Sequence, residues 1–196
     1  KIYVKDIQAF SQTPFGLCEL RNVADIVGDF AVSQTDGGVV IKGYLGKEKE
    51  VVFPSAIADK SVIAIDKNAI DPMTEKIIIE SGIEQIKEKA FSHDIYNKSI
   101  FPVDMSLKEI IIQGQNLTSI GAYAFEGAAI TEIQLPSSLQ TIESLAFKDC
   151  RYLQRIDIDG DNQYFSSVEG VLYDKDITQL LIYPMGKPEI EYALAQ

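Results

Sequence analysis

Apolar residues along this 196-residue chain stand in columns. Leu107, Ile130 and Leu153 advance by 23 residues, as do Ile110, Ile133 and Ile156, and Ile112, Leu135 and Ile158. Within a unit, apolar pairs two apart, such as Ile133 and Leu135, give the alternation of a strand with one buried face. A second phrase follows each strand. It reads Ile120-Gly-Ala-Tyr-Ala-Phe125 and Ile142-Glu-Ser-Leu-Ala-Phe147, with weaker copies at Ile86 to Phe91 and Ile65 to Ile70. Its Ile, Ala and Phe follow i, i+4, i+5 spacing, which predicts a helical turn dropping a small residue and a ring onto the strand layer. One strand and one return per unit predict a solenoid, because such a unit cannot close a core alone.

A period in the low twenties lies in the range of leucine-rich repeats. The fold expected is therefore a leucine-rich repeat solenoid, a right-handed α/β or mostly-β superhelix of short parallel strands and helical-turn returns. Phe91, Phe125 and Phe147 should stack as a ladder, each contributing roughly 1.5 to 3 kcal/mol through burial. The first fifty residues do not repeat. Thr13 as N-cap, Pro14 at the first helical position, apolar Leu17, Leu20, Ala24 and Val27, and Gly28 as terminator predict a helix over about 14–27. Phe30 to Ser33 and Val39 to Tyr44 flank Thr-Asp-Gly-Gly and predict a hairpin. Residues 1–46 are thus read as an N-terminal helix and hairpin cap, and 47–161 as the repeats. Residues 162–196 are read as a C-terminal β-hairpin unit followed by the start of an incomplete repeat at Tyr192 and Leu194.

Several phrases resemble the BspA-like leucine-rich repeats, a family of mostly bacterial surface and secreted proteins. Leu-Thr-Ser-Ile-Gly-Ala-Tyr-Ala-Phe (117–125) and Ile-Gln-Leu-Pro-Ser-Ser-Leu-Gln-Thr-Ile (133–142) look like the repeat itself, with Cys150 at a small apolar position after Ala-Phe. Gly43-Tyr-Leu-Gly46 and Val51-Val-Phe-Pro54 look like the lead-in to its first repeat. Ser166 to Asp174, within Asn162 to Pro184, looks like its hairpin unit. The resemblance covers about residues 30–190. Ile70 departs from it by standing where Phe is expected, and the asparagine of the general repeat is missing after each strand. About ten residues are also inserted, since Phe91 to Leu107 spans 16 residues whereas Phe125 to Ile130 spans five. Such insertions emerge as loops, often on the binding face.

A net charge of −11 opposes nucleic-acid binding, which needs clustered Lys and Arg. Much of that acidity reads as a solvated face. No apolar run is long enough for a membrane helix, so direct membrane insertion is not expected. Lys1 is neither an initiator Met nor the start of a signal peptide, so a mature or trimmed product is expected, and the resemblance implies an exported one whose signal was removed. Cys18 and Cys150 could form one bridge, but two free buried thiols are favoured, Cys150 acting as a small core hydrophobe.

No catalytic, cofactor or metal site is expected. The single histidine, His93, has no nucleophile in a recognisable context. Asp157, Asp159 and Asp161 lack the glycine of a calcium loop, and Val168 stands where its bidentate acid belongs. Asn97-Lys-Ser and Asn116-Leu-Thr match glycosylation acceptors, which matter only on a eukaryotic secretory route.

If the strand columns point inward, the residues between them face solvent. Ile78, Ile111, Gln134 and Asp157 then form one row, and Lys76, Glu109, Glu132 and Arg155 the next. Ile78 and Ile111 would be apolar neighbours rimmed by charge, a pattern of contact patches. Tyr96 and Phe101, in the insertion at about 92–106, are further aromatic candidates for anchoring a partner. The resemblance implies a non-catalytic cell-surface or secreted protein-interaction module, with adhesion to host or matrix proteins as its role. The alternative is a glycan-binding or accessory module, which the absence of Trp weakens.

Overall fold

In the computed structural model, residues 2–4, 20–22, 25–92 and 106–188 are described, and they form strands and turns only. Before the repeats, β1 (Ile2–Val4) pairs in parallel with β2 (Leu20–Asn22), while β3 (Asp25–Val27), β4 (Phe30–Thr35) and β5 (Gly38–Tyr44) make an antiparallel meander. The β4–β5 hairpin turns at Asp36-Gly37, with Thr35 opposite Gly38. A Cβ on Gly38 would lie 2.6 Å from the Ser61 carbonyl oxygen, so only glycine fits this approach.

The helix expected over 14–27 is not what its described residues form. Leu20–Asn22 and Asp25–Val27 are strands, and 14–19 and 23–24 lie outside the described residues. The backbone of β3 registers with that of β4, from Asp25 opposite Val32 to Val27 opposite Phe30. That pairing overrides a helical spacing whose last turn holds the β-branched Ile26 and Val27, weak helix formers.

The repeats alternate between two sheets. β6 (Glu50–Phe53), β9 (Lys76–Ile79) and β11 (Glu109–Ile112) run parallel, stacking Val51 on Ile77 on Ile110 and Phe53 on Ile79 on Ile112. β13 (Glu132–Leu135) and β15 (Arg155–Ile158) continue this pattern, with Ile133 on Ile156 and Leu135 on Ile158. The second sheet runs from β5 through β8 (Lys60–Ile65), β10 (Gln85–Ile86), β12 (Ser119–Ile120) and β14 (Thr141–Ile142), all parallel. Within the first turn, β7 (Ala56–Ile57) folds back on β8. Each turn of this mostly-β solenoid thus gives one strand to each sheet.

The returns are not helical. Ile65 ends β8, while Ile86, Ile120 and Ile142 sit in the two-residue strands of the second sheet, and the Ala-Phe pairs sit in tight turns. Ala124 N–H reaches Gly121 O at 3.3 Å, Glu126 N–H reaches Tyr123 O at 3.1 Å, and Ala128 N–H reaches Phe125 O at 3.0 Å. Other amides that a helix would use bond to the next turn of the solenoid. Phe91 N–H donates to Ala124 O at 2.8 Å, and Phe125 N–H to Ala146 O at 2.9 Å. Asn68, Lys89 and Tyr123, each preceding the alanine, adopt φ of 51°, 55° and 59°, which no right-handed helix accommodates.

The rings form the expected ladder. Phe91 and Phe125 have centroids 5.6 Å apart, and Phe125 and Phe147 stack at 5.1 Å. The ladder continues past the site where Ile70 replaces a ring, because Phe53 on β6 lies 5.4 Å from Phe91 and 5.9 Å from Phe30. Cys150 is a free, fully buried thiol whose sulfur lies 3.1 Å from the Phe125 carbonyl oxygen; Cys18 lies outside the described residues.

Beyond β15, β16 (Phe165–Val168), β17 (Val171–Asp174) and β18 (Leu180–Ile182) form an antiparallel sheet. Asn162 ties it to the last complete turn. Its buried amide donates to the carbonyls of Pro136, Ser137 and Leu139, and its side-chain oxygen accepts from the Tyr164 and Phe165 amides. Tyr192 and Leu194 lie outside the described residues.

Candidate functional site

Strand alternation turns every second residue of β6, β9, β11, β13 and β15 away from the core. Ile78 lies beside Ile111, and Gln134 beside Asp157, in register. Glu109 likewise lies beside Lys76, and Glu132 beside Arg155. Glu109, Glu132, Gln134 and Arg155 are exposed; Lys76, Ile78, Ile111 and Asp157 are partly so. Tyr96, Phe101 and His93 lie outside the described residues, as does most of the insertion. The columns omitted Val52, which is 41% exposed and pairs with Ile78. Val52, Ile78 and Ile111 therefore make a continuous apolar run. The alternation of Val51-Val52-Phe53 carried that signal, but the spacing of 26 from Val51 to Ile77 does not match the 23-residue columns.

The face is divided between β11 and β13. The strands form separate sheets, ordered β11-β9-β6 and β13-β15. Elsewhere the ladder closes through an amide just after each strand: Glu80 N–H to Phe53 O at 3.0 Å, Gln113 N–H to Ile79 O at 2.8 Å, and Asp159 N–H to Leu135 O at 3.0 Å. The corresponding residue after β13 is Pro136, which has no N–H to offer Ile112. The β11 unit is also longer, since ten residues separate Ile110 from Ile120 but nine separate Ile133 from Ile142. Gln115 in that longer loop bridges the turns instead, its side-chain oxygen accepting from the Ser137 amide at 2.7 Å and hydroxyl at 2.6 Å.

A cleft of about 520 Å³ lies at this break. Glu109, Ile111, Glu132, Gln134 and Asp157 line it, with Lys108, Thr131 and the inner Ile110 and Ile133. Five of the ten residues expected to meet a partner are thus brought to one place. Lys76, Ile78 and Arg155 share the face without lining the cleft.

Charges alternate along the row until the break. Lys76 Nζ lies 3.8 Å from Glu50 and 3.6 Å from Glu109. Arg155, beside Glu132 in register, turns instead to Asp157 on its own strand, with Nη2 3.0 Å from Oδ1 and Nε 3.1 Å from Oδ2. Among the described residues Glu132 makes no ion pair. Below the row, a hydrogen bond from Lys49 at 2.6 Å and the charge of Lys108 hold the exposed Glu75 carboxyl below the usual range. Asp157, Asp159 and Asp161 do not converge like calcium ligands: Asp157 pairs with Arg155, and the Asp159 carboxylate accepts the Asp161 amide at 3.0 Å.

Residues 94–169 match the family model described as BspA type leucine rich repeat region, in six copies. Over these residues the chain carries BspA-type leucine-rich repeats. Solved structures with this fold include a leucine-rich repeat protein from Eubacterium ventriosum, with 19% identity, a TM-score of 0.53 and coverage of 87% of this chain and 52% of that one. The chain spans about half the length of that protein. Another is a leucine-rich repeat protein from Bacteroides capillosus, with 16% identity, a TM-score of 0.53 and coverage of 69% of this chain and 98% of that one. No curated protein sequence matches. The face of β6, β9, β11, β13 and β15 is the outer surface of the solenoid's longer strands. Among the described residues, no helix is long and apolar enough to cross a membrane.

Proposed function

We propose that the chain is a non-catalytic protein-interaction module that binds a host or matrix protein through the outward face of β6, β9, β11, β13 and β15. The observation that carries this reading is the in-register run of Val52, Ile78 and Ile111, apolar and accessible, rimmed by Glu50, Lys76 and Glu109. An exposed apolar strip with a charged border is a surface suited to partner contact. The meander β3–β5 and the sheet β16–β18 serve as the end caps that a repeat stack needs. BspA-type leucine-rich repeat proteins are typically bacterial surface proteins, which supports an exported, cell-surface or secreted setting.

The test is a pull-down against matrix proteins alongside a glycan array, using the chain and its Ile78→Lys/Ile111→Lys variant. Saturable binding to a protein, weakened at least about tenfold in the variant, supports the reading; a charge buried in an apolar contact costs well over the ~1.4 kcal/mol this requires. Binding to glycans alone, or unchanged protein affinity in a variant with an unchanged circular dichroism spectrum, overturns it.

A further inference from the structure

The break between β11 and β13 combines two features found at no other strand junction of this face. It is open, since β11 and β13 form no ladder, and it places two like charges on one cleft. Along the row Glu50, Lys76 and Glu109 alternate in sign, but across the break Glu109 is followed by Glu132. Like charges on neighbouring strands repel. Lys76 relieves Glu109 from one side, but Arg155 is engaged by Asp157 and Lys108 by Glu75, so among the described residues Glu132 makes no ion pair. The rest of the cleft's lining is mainly polar, from Lys108, Thr131, Gln134 and Asp157, with apolar surface at the partly exposed Ile111 and the edges of the buried Ile110 and Ile133.

We propose that this cleft receives an arginine or lysine side chain from an extended segment of the partner protein. The aliphatic stem lies along Ile111 while the cationic head sits between Glu109 and Glu132. A long basic side chain divides in this way between apolar stem and charged head. Arginine fits best, since its planar fork carries five N–H donors suited to carboxylates. The inference rests on the outward face being the binding face and adds the chemistry of what it selects.

The experiment selects a phage-displayed library of random dodecapeptides on the intact chain and measures synthetic versions of the enriched sequences by fluorescence anisotropy. The expected peptides share one Arg or Lys next to an apolar residue. Replacing that Arg by citrulline, or that Lys by Gln, should weaken binding roughly tenfold or more, as should the Glu109→Gln/Glu132→Gln double variant. A Glu88→Gln/Asp176→Asn variant, with the same charge change at exposed residues outside the cleft, should bind as the parent does. Equal losses in the two double variants would reveal general attraction to an acidic protein and overturn the cleft. Peptides insensitive to the cleft variant but lost in Ile78→Lys/Ile111→Lys overturn the cleft while leaving the binding face standing. Peptides insensitive to all these variants overturn both.

Discussion

Truncating Phe125 to alanine tests whether the ring ladder is the axis along which the turns cohere. Its side chain is fully buried, with rings on both sides at 5.6 and 5.1 Å. Phe147 is 7% exposed and has one ring neighbour among the described residues. Either truncation removes a buried ring and leaves a cavity, at a cost of about 3 to 5 kcal/mol. An aromatic pair is worth about 0.5 to 1.5 kcal/mol beyond burial, so Phe125→Ala should exceed Phe147→Ala by about that amount. Urea unfolding followed by far-ultraviolet circular dichroism measures both, since the chain has no Trp to report by fluorescence. Domain stabilities are commonly about 5 to 15 kcal/mol, so Phe125→Ala could unfold the chain outright. Phe125→Leu then supplies a folded comparison, costing less because leucine fills part of the cavity. If Phe125→Ala proves no more costly than Phe147→Ala at equal slope with urea, cohesion does not run through the rings.

Other outcomes follow from local chemistry. Pro136→Ala should permit a bond to Ile112 worth about 0.5 to 1.5 kcal/mol while losing about 0.4 to 1 kcal/mol of proline's restriction on the unfolded chain. Stability should therefore move little, while the new amide at 136 becomes slow to exchange; rapid exchange would show that proline is not what opens the ladder. Burial pushes the Asp66 carboxyl up, but Lys42 at 2.5 Å and the Lys67 amide outweigh it and hold it below its usual value. Its stabilisation is full above the unfolded value of about 3.9 and is lost as pH falls through the lower folded value. The urea midpoint of Asp66→Asn should accordingly fall less than the parent's between neutral pH and acid, and parallel titrations would refute this. Burial pushes the Cys150 thiol up to about 12, leaving almost no thiolate at pH 8. Iodoacetamide followed by mass spectrometry should modify Cys150 only after unfolding, and prompt native labelling would contradict that burial.

The repeat itself was legible because each turn of a solenoid packs mainly on its neighbours, so fixed spacing in sequence becomes fixed contact in space. Ile77, Ile110, Ile133 and Ile156 face inward, the phenylalanines stack, and the residues between the columns face out. Helical spacing misled at Asp25–Val27 because pairing with Phe30–Thr35 claims that backbone. The returns misled in the same way, since an Ile…Ala-Phe phrase suits a helical turn until the next turn accepts its amides.

The sequence by itself determined the period, the buried columns and the rows opposite them, all of which follow from the side-chain pattern. Only the tertiary structure decided that Val52 extends the apolar run and that the face opens between Ile110 and Ile133. Those isoleucines keep the same 23-residue spacing as Ile133 and Ile156, which lie in one sheet. Spacing fixes which way a side chain points, but a ladder also needs a donor opposite each acceptor. At Pro136 one such donor is missing, which the spacing of the isoleucines does not reveal.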